Sequence, residues 1–257
     1  MLHSQALALA TSKPYLVLLH GWGYNSTCWP ASMLQRLRTR YELILLDLPG
    51  HGHDTFVEDG RNHLVQLDEW IIATKKSLPC QYHVLGWSLG AQLAIRMAHN
   101  DTRIQSVILM AVNPKFITSN NWPSAMMPEL LAQFHHDYET LPNKTLRRFA
   151  NLQAQGSILP KILVTQVIKL MQVKEENAFG LHLLQQLDER EHLCKLTQLC
   201  YIELAKGDSL IPYGWVEQLK LPNNVQVSYV KGSHGYLLEQ YAVTHKMANF
   251  LNLEVGL

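Results

Sequence analysis

The chain has 257 residues, 47% of them hydrophobic, with 22 Lys and Arg against 21 Asp and Glu, for a formal net charge of +1. That length accommodates one α/β domain carrying an insertion, with a large buried core. The near-neutral charge leaves no electrostatic footprint for nucleic acid, and no apolar run reaches the length of a membrane span.

The first predicted strand covers about 15–19, and its run Leu16-Val17-Leu18-Leu19 ends in the loop His20-Gly21-Trp22-Gly23. A second strand over about 42–47 leads into the turn-rich stretch Asp47-Leu48-Pro49-Gly50-His51-Gly52-His53, and a helix is predicted over about 64–77. A third strand over about 82–87 enters Gly86-Trp87-Ser88-Leu89-Gly90, and a helix over about 89–99 follows. Strand, tight turn and helix in that order are what a G-x-S-x-G nucleophile elbow requires. Strain at such a turn lifts the Ser hydroxyl above the sheet. A side chain at 86 or 90 would collide with the neighbouring helix or strand, and the helix aims its positive end at the nucleophile.

A fourth strand is predicted over about 106–111, after which the alternation breaks. Between about 113 and 185, Pro114, Pro123, Pro128, Pro142 and Pro160 punctuate helical segments without any strand pattern. This stretch reads as a helical cap, residues 113–185, inserted into a core of 1–112 and 186–257. Core helices with no substrate role are the alternative, but loops at this edge carry function. Strands over about 200–205 and 225–230 lead into Gly207-Asp208-Ser209 and Gly232-Ser233-His234-Gly235, and a last helix is predicted over about 236–252. The alternation predicts a parallel sheet covered on both faces.

Ser88, Asp208 and His234 follow the order nucleophile, acid, base, each at the carboxyl end of a predicted strand, where open α/β sheets bind ligands. Singly, each has a plain reading. Asp208 suits a turn, and His234 is one of 13 histidines. Order and context together favour a catalytic triad. The backbone N–H groups of Trp22 and Leu89 are the candidate oxyanion donors, the alternative being a Gly-rich turn that only closes a strand. His20 reads as a structural hydrogen-bonder behind that loop. The first residues, Met1 to Ala6, lack the charged start and apolar core of a secretory signal. Cys28, Cys80, Cys194 and Cys200 show no metal-ligand spacing, so free thiols in a cytoplasmic protein are expected, with no metal and no cofactor.

Over nearly its whole length the chain resembles the α/β-hydrolase superfamily. Within it, the chain is most similar to the pimeloyl-[acyl-carrier protein] methyl ester carboxylesterases of biotin synthesis. The resemblance rests on Leu16-Val17-Leu18-Leu19-His20-Gly21-Trp22-Gly23, on the Trp87-Ser88 elbow, on Arg148-Phe149-Ala150-Asn151-Leu152-Gln153 in the cap, and on Gly207-Asp208-x-Leu210-Ile211-Pro212. The elbow's Trp and the cap stretch carry the specific assignment. The resemblance implies an α/β-hydrolase fold and hydrolysis of a methyl ester at the far end of a pimeloyl chain. Ser88 would attack, His234 would move the proton and Asp208 would orient it. Phe149 would wall the acyl channel, Gln153 would offer a polar contact near the ester, and the side chains of Trp22 and Trp87 would be apolar pocket walls. The partner it implies is an acidic acyl-carrier protein, for which Lys144, Arg147, Arg148 and Lys161 are candidate docking residues; a solvated helix face is the equal alternative for each. A monomer is expected. The chain departs from the superfamily in having Asp54 where Ser is frequent, Ala91 where a third Gly is frequent, and Gly235 after the His. Only 14 residues precede the first strand, so the usual leading hairpin is expected to be short or partial. The rival functions are a general short-chain carboxylesterase or a carbon–carbon bond hydrolase with the same triad, and, disfavoured by the complete triad, a non-enzymatic binding protein.

Overall fold

The computed structural model describes residues 13–239 and 243–252. The leading segment, where a partial hairpin was expected and a signal was not, lies outside these residues except for its last two. In chain order the elements are β1 (Tyr15–Leu19), α1 (Ala31–Arg38), β2 (Glu42–Leu46), α2 (His63–Ser77), β3 (Tyr82–Trp87), α3 (Leu89–Ala98) and β4 (Ile104–Met110). There follow α4 (Pro128–Thr140), α5 (Pro142–Ala154), α6 (Pro160–Leu170), α7 (Ala178–Gln186) and α8 (Arg190–Cys194), then β5 (Leu199–Ala205), β6 (Val225–Val230) and α9 (His245–Phe250).

The six strands form one parallel sheet in the order β2-β1-β3-β4-β5-β6. Leu16 to Leu19 of β1 and Val107 to Met110 of β4 are fully buried, as unbroken apolar runs in a two-sided parallel sheet must be. The edge strand β6 instead leaves Gln226 and Tyr229 exposed, with only Ser228 buried. The chain runs outward from β1 to β2, then returns to place β3 on the other side of β1. The loops leaving β1 and β3 therefore diverge, and that switch point opens a crevice at the carboxyl edge.

The five helices α4 to α8 fill the interval between β4 and β5. Three of them open on a proline, Pro128, Pro142 and Pro160. There the missing N–H is no loss and the fixed φ suits the first turn. Helix α5 is two-faced: Thr145, Leu146, Ala150, Gln153 and Ala154 are buried, while Lys144, Arg147 and Arg148 face solvent.

One predicted element is corrected. The chain does not run as a single helix over 236–252. Tyr236–Leu238 is a short 3₁₀ turn, Glu239 is extended, and α9 starts afresh at His245. The cause is local: the side chain of Thr244 accepts a hydrogen bond from Met247 N–H and caps a new helix there. The four cysteines are free thiols. No helix among the described residues is long and apolar enough to cross a membrane.

Candidate active site

Ser88 sits between β3 and α3 with φ 55° and ψ −119°, a conformation that a residue with a side chain adopts only when its surroundings impose it. Its N–H donates to Met110 O at 2.9 Å, and its carbonyl accepts from Ala91 N at 2.9 Å. The flanking glycines are dictated by contact. A Cβ on Gly86 would lie 2.3 Å from Gly90 O, and one on Gly90 would lie 2.2 Å from Leu19 O. Strand β1 thus passes directly against the start of α3, and only backbone fits between them.

Three loops converge above this turn. The His234 ring stands with Nε2 3.0 Å from Ser88 Oγ and Nδ1 2.8 Å from Asp208 Oδ2. The other carboxylate oxygen, Oδ1, accepts from the N–H groups of Leu210 at 2.8 Å and Ile211 at 2.9 Å. These two bonds lock the carboxylate in one orientation. His234 and Asp208 are buried, at 2% and 8% exposure. With the Nδ1 proton given to Asp208, the Nε2 lone pair faces the Ser88 hydroxyl and can take its proton.

The backbone N–H groups of Trp22 and Leu89 take part in no hydrogen bond among the described residues, and both are available to an oxyanion. The Trp22 loop is braced from behind by His20, whose Nδ1 donates to Gly21 O at 2.8 Å and whose Nε2 accepts from Leu48 N–H at 3.1 Å. Burial lowers the His20 pKa to about 4, which keeps the ring neutral and Nε2 able to accept.

A cavity of about 220 Å³ lies over Ser88 and His234. Its walls are mainly apolar: Leu130, Leu131 and Phe134 from α4, Phe149 and Leu152 from α5, and Leu181 and Leu184 from α7. The Trp22 ring closes one side, edge-on to Phe134, Tyr138 and Phe149 at 5.2–5.4 Å. Its Nε1 is already committed to Asn177 O at 2.8 Å, so the ring offers the cavity a wall and no donor.

Two expected contacts fall elsewhere. Gln153 does not reach the cavity. It is fully buried one turn beyond Phe149, with Oε1 accepting from Tyr24 Oη at 2.8 Å and its carbonyl accepting from Gly235 N at 3.1 Å. A buried amide needs partners, and Tyr24 supplies one. Trp87 is likewise no pocket wall. It lies 4.7 Å from the Tyr24 ring and donates Nε1 to His234 O at 3.3 Å. Gln153, Tyr24 and Trp87 together brace the His234 loop. Of the basic residues, Lys144, Arg147 and Arg148 share the outer face of α5, and Lys161 is exposed on α6. Arg148 reaches the cavity rim and pairs with Asp137 at 3.1 Å. Sequence reasoning missed Tyr24, Asn177 and the walls from α4 and α7. The apolar spacing of Leu131 with Phe134 and of Leu181 with Leu184 was a visible signal of buried helix faces, but not of which cavity they bound.

A doubly flanked parallel sheet, a strained Ser between strand and helix, and hydrogen-bonded Ser, His and Asp side chains under an apolar cavity form an arrangement that can carry out nucleophilic attack on a carbonyl. The chain belongs to the Alpha/beta hydrolase family, whose sequence profile matches residues 16–243. It is 30% identical over 246 residues to the pimeloyl-[acyl-carrier protein] methyl ester esterase of Vibrio vulnificus, covering 92% of this chain and 94% of that protein. It is 34% identical over 226 residues, 86% of this chain, to the biotin biosynthesis bifunctional protein BioHC of Cellvibrio japonicus, but spans only 44% of that protein's length. Among solved structures it superposes on the enol-lactonase of Burkholderia xenovorans with a TM-score of 0.78 at 16% identity, covering 95% of this chain and 93% of that one. The esterase EaEST of Exiguobacterium antarcticum gives 0.77 at 19% identity, with 94% and 92% covered. At these identities the superpositions speak for the fold.

Proposed function

We propose that this protein is a cytoplasmic serine carboxylesterase that removes the methyl group from pimeloyl-[acyl-carrier protein] methyl ester, releasing methanol and the free carboxylate for biotin synthesis. The observation that carries the reading is the Ser88–His234–Asp208 relay, at 3.0 and 2.8 Å, opening into a largely apolar cavity. The named activity of the Vibrio relative supplies the substrate.

In this reading the acyl chain lies against Phe134, Phe149 and Leu181, with the ester carbonyl over Ser88. Ser88 Oγ attacks the carbonyl carbon as His234 Nε2 takes its proton, and Asp208 stabilises the imidazolium. The amides of Trp22 and Leu89 receive the oxyanion. His234 returns the proton to the departing methoxide, and methanol leaves. Water, deprotonated by the same ring, then cleaves the acyl-enzyme and restores Ser88. Residues 113–185 serve as the substrate cap over the core of 1–112 and 186–257, and the basic face of α5 with Lys161 meets the acidic carrier.

The test is methanol release from pimeloyl-[acyl-carrier protein] methyl ester by the purified protein and by Ser88→Ala. Turnover by the wild type that Ser88→Ala abolishes, with the fold intact by circular dichroism, supports the proposal. Hydrolysis of small p-nitrophenyl esters without turnover of the carrier-bound ester would replace it with a general short-chain esterase.

A further inference from the structure

A second cluster of titratable side chains lies outside the ester cavity. On α4, Phe134 lines that cavity, whereas its neighbour His135 belongs to a group with His182 of α7, His63 at the start of α2, and Glu58 in the loop before it. His63 Nε2–H donates to Glu58 Oε1 at 2.8 Å, and His63 Nδ1 accepts from Gln186 Nε2 at 2.9 Å. The His63 and His182 rings stack at 4.2 Å, and His135 stands edge-on to His182 at 4.5 Å. His135 Nε2 is 3.6 Å from Glu139 Oε1, too far for a hydrogen bond, and has no other partner among the described residues. A cavity of about 830 Å³ opens beside the group, with Glu58, Glu139, Glu175 and Glu176 on its walls and Lys174 as their counter-charge.

We infer that Glu58, His63 and His182 form a binding site for a divalent transition-metal ion of the zinc type, with His135 in reach as a further ligand. One ligand atom from each of the three residues lies within 4.8 Å of the others. Imidazole with carboxylate suits Zn²⁺, Co²⁺ or Ni²⁺ rather than Mg²⁺ or Ca²⁺, which prefer all-oxygen shells. Zinc bonds of about 2.0–2.2 Å require the three atoms to draw in by rotation about side-chain torsions. Glu58 is exposed and His63 and His182 are only half-buried, so they have room to do so. To bind through Nε2, His63 would take its other tautomer, the ring proton moving to Nδ1 and the Gln186 side-chain amide turning to accept it through its oxygen.

The ligands come from separate parts of the fold. His63 stands on a core helix, while His182 and His135 stand on helices of the insertion. An occupied site would tie α7, and α4 through His135, to α2. It would thereby steady the wall that Leu130, Leu131 and Phe134 contribute to the ester cavity.

The experiment uses tag-free protein in a non-coordinating buffer at pH 7.5. It titrates ZnCl₂ by calorimetry and CoCl₂ by visible absorption, with thermal melts alongside. Expected are one ion per chain, Co²⁺ d–d bands of a low-symmetry site, and a Tm rise of about 5–10 °C when free Zn²⁺ is near 100 times Kd. His182→Ala and Glu58→Gln should each weaken binding at least tenfold. His136→Ala, which removes an exposed imidazole of α4 next to His135 but outside the cluster, should not. Glu58 is exposed, so its variant keeps the test valid if His182→Ala misfolds. Absence of one-to-one binding, or binding that a folded Glu58→Gln or His182→Ala variant retains in full, overturns the inference.

Discussion

Asp208→Asn isolates the proton relay from everything else in the site. Asp208 Oδ1 accepts two backbone N–H groups, at 2.8 and 2.9 Å, while Oδ2 faces His234 Nδ1 at 2.8 Å. An asparagine has one oxygen and one NH₂ for these two places. Turning the NH₂ towards Leu210 and Ile211 would set donor against donor and lose two buried hydrogen bonds. The oxygen therefore stays with the backbone, and the NH₂ falls opposite Nδ1. That nitrogen must now accept, so the ring proton moves to Nε2, 3.0 Å from Ser88 Oγ. The nucleophile then meets a donor where it needs a base. A tautomer switch of this kind lowers turnover by about 10⁴ in serine hydrolases, or about 5 kcal/mol in the barrier at about 1.36 kcal/mol per decade. The shapes are nearly identical, so the melting temperature should move by no more than a few degrees. The assay is steady-state hydrolysis of a methyl ester and a p-nitrophenyl ester, with thermal melts run in parallel. A folded Asp208→Asn enzyme keeping a tenth or more of wild-type turnover would show that Asp208 does not set the His234 tautomer.

Three further outcomes are expected. Gly90→Ala places a Cβ 2.2 Å from Leu19 O and 2.4 Å from His20 O, both backbone atoms that cannot swing away, so urea unfolding should show a loss of about 3 kcal/mol or more together with activity. The fully buried rings of His20 and His51 are held neutral by burial, with pKa values lowered to about 4 and about 3. The ordinary value of about 6.5 applies in the unfolded chain, so their contribution is complete above pH 6.5 and is lost as pH falls through 4 and 3. Each ring should remove about 2 kcal/mol between pH 6.5 and 5, and flat stability from pH 7 to 5 by urea unfolding would refute this. Charge reversal at Lys144 and Arg147, both exposed on α5 and off the cavity, should slow turnover of a carrier-bound ester and reduce its salt sensitivity while sparing a small soluble ester. Equal losses on both substrates would point to a damaged helix instead.

What the sequence determined by itself is local or ordinal. The runs Leu16 to Leu19 and Val84 to Trp87 read as strand because burial on both faces leaves them no polar positions. Gly86 and Gly90 announced the elbow because only backbone fits there. Ser88, Asp208 and His234 could be put in order because each follows a strand, although chain order carries no distance. The two helices merged in the reading of 236–252 separate because Thr244 caps one of them, a choice between similar local conformations that periodicity does not resolve. Tertiary structure alone decided where side chains on one helix go. Phe149 and Gln153 stand one turn apart on α5, yet Phe149 meets the cavity while Gln153 is drawn under the His234 loop by Tyr24. The same holds for Trp87, which adjoins Ser88 but packs against Tyr24 and does not line the cavity. Glu58, His63, His135 and His182 carry no spacing motif at all, because α4, α7 and the start of α2 with the loop before it bring them together from three separate segments of the chain. Periodicity reports which face of an element is buried. What covers that face depends on packing between distant segments, and a single sequence holds no local trace of it.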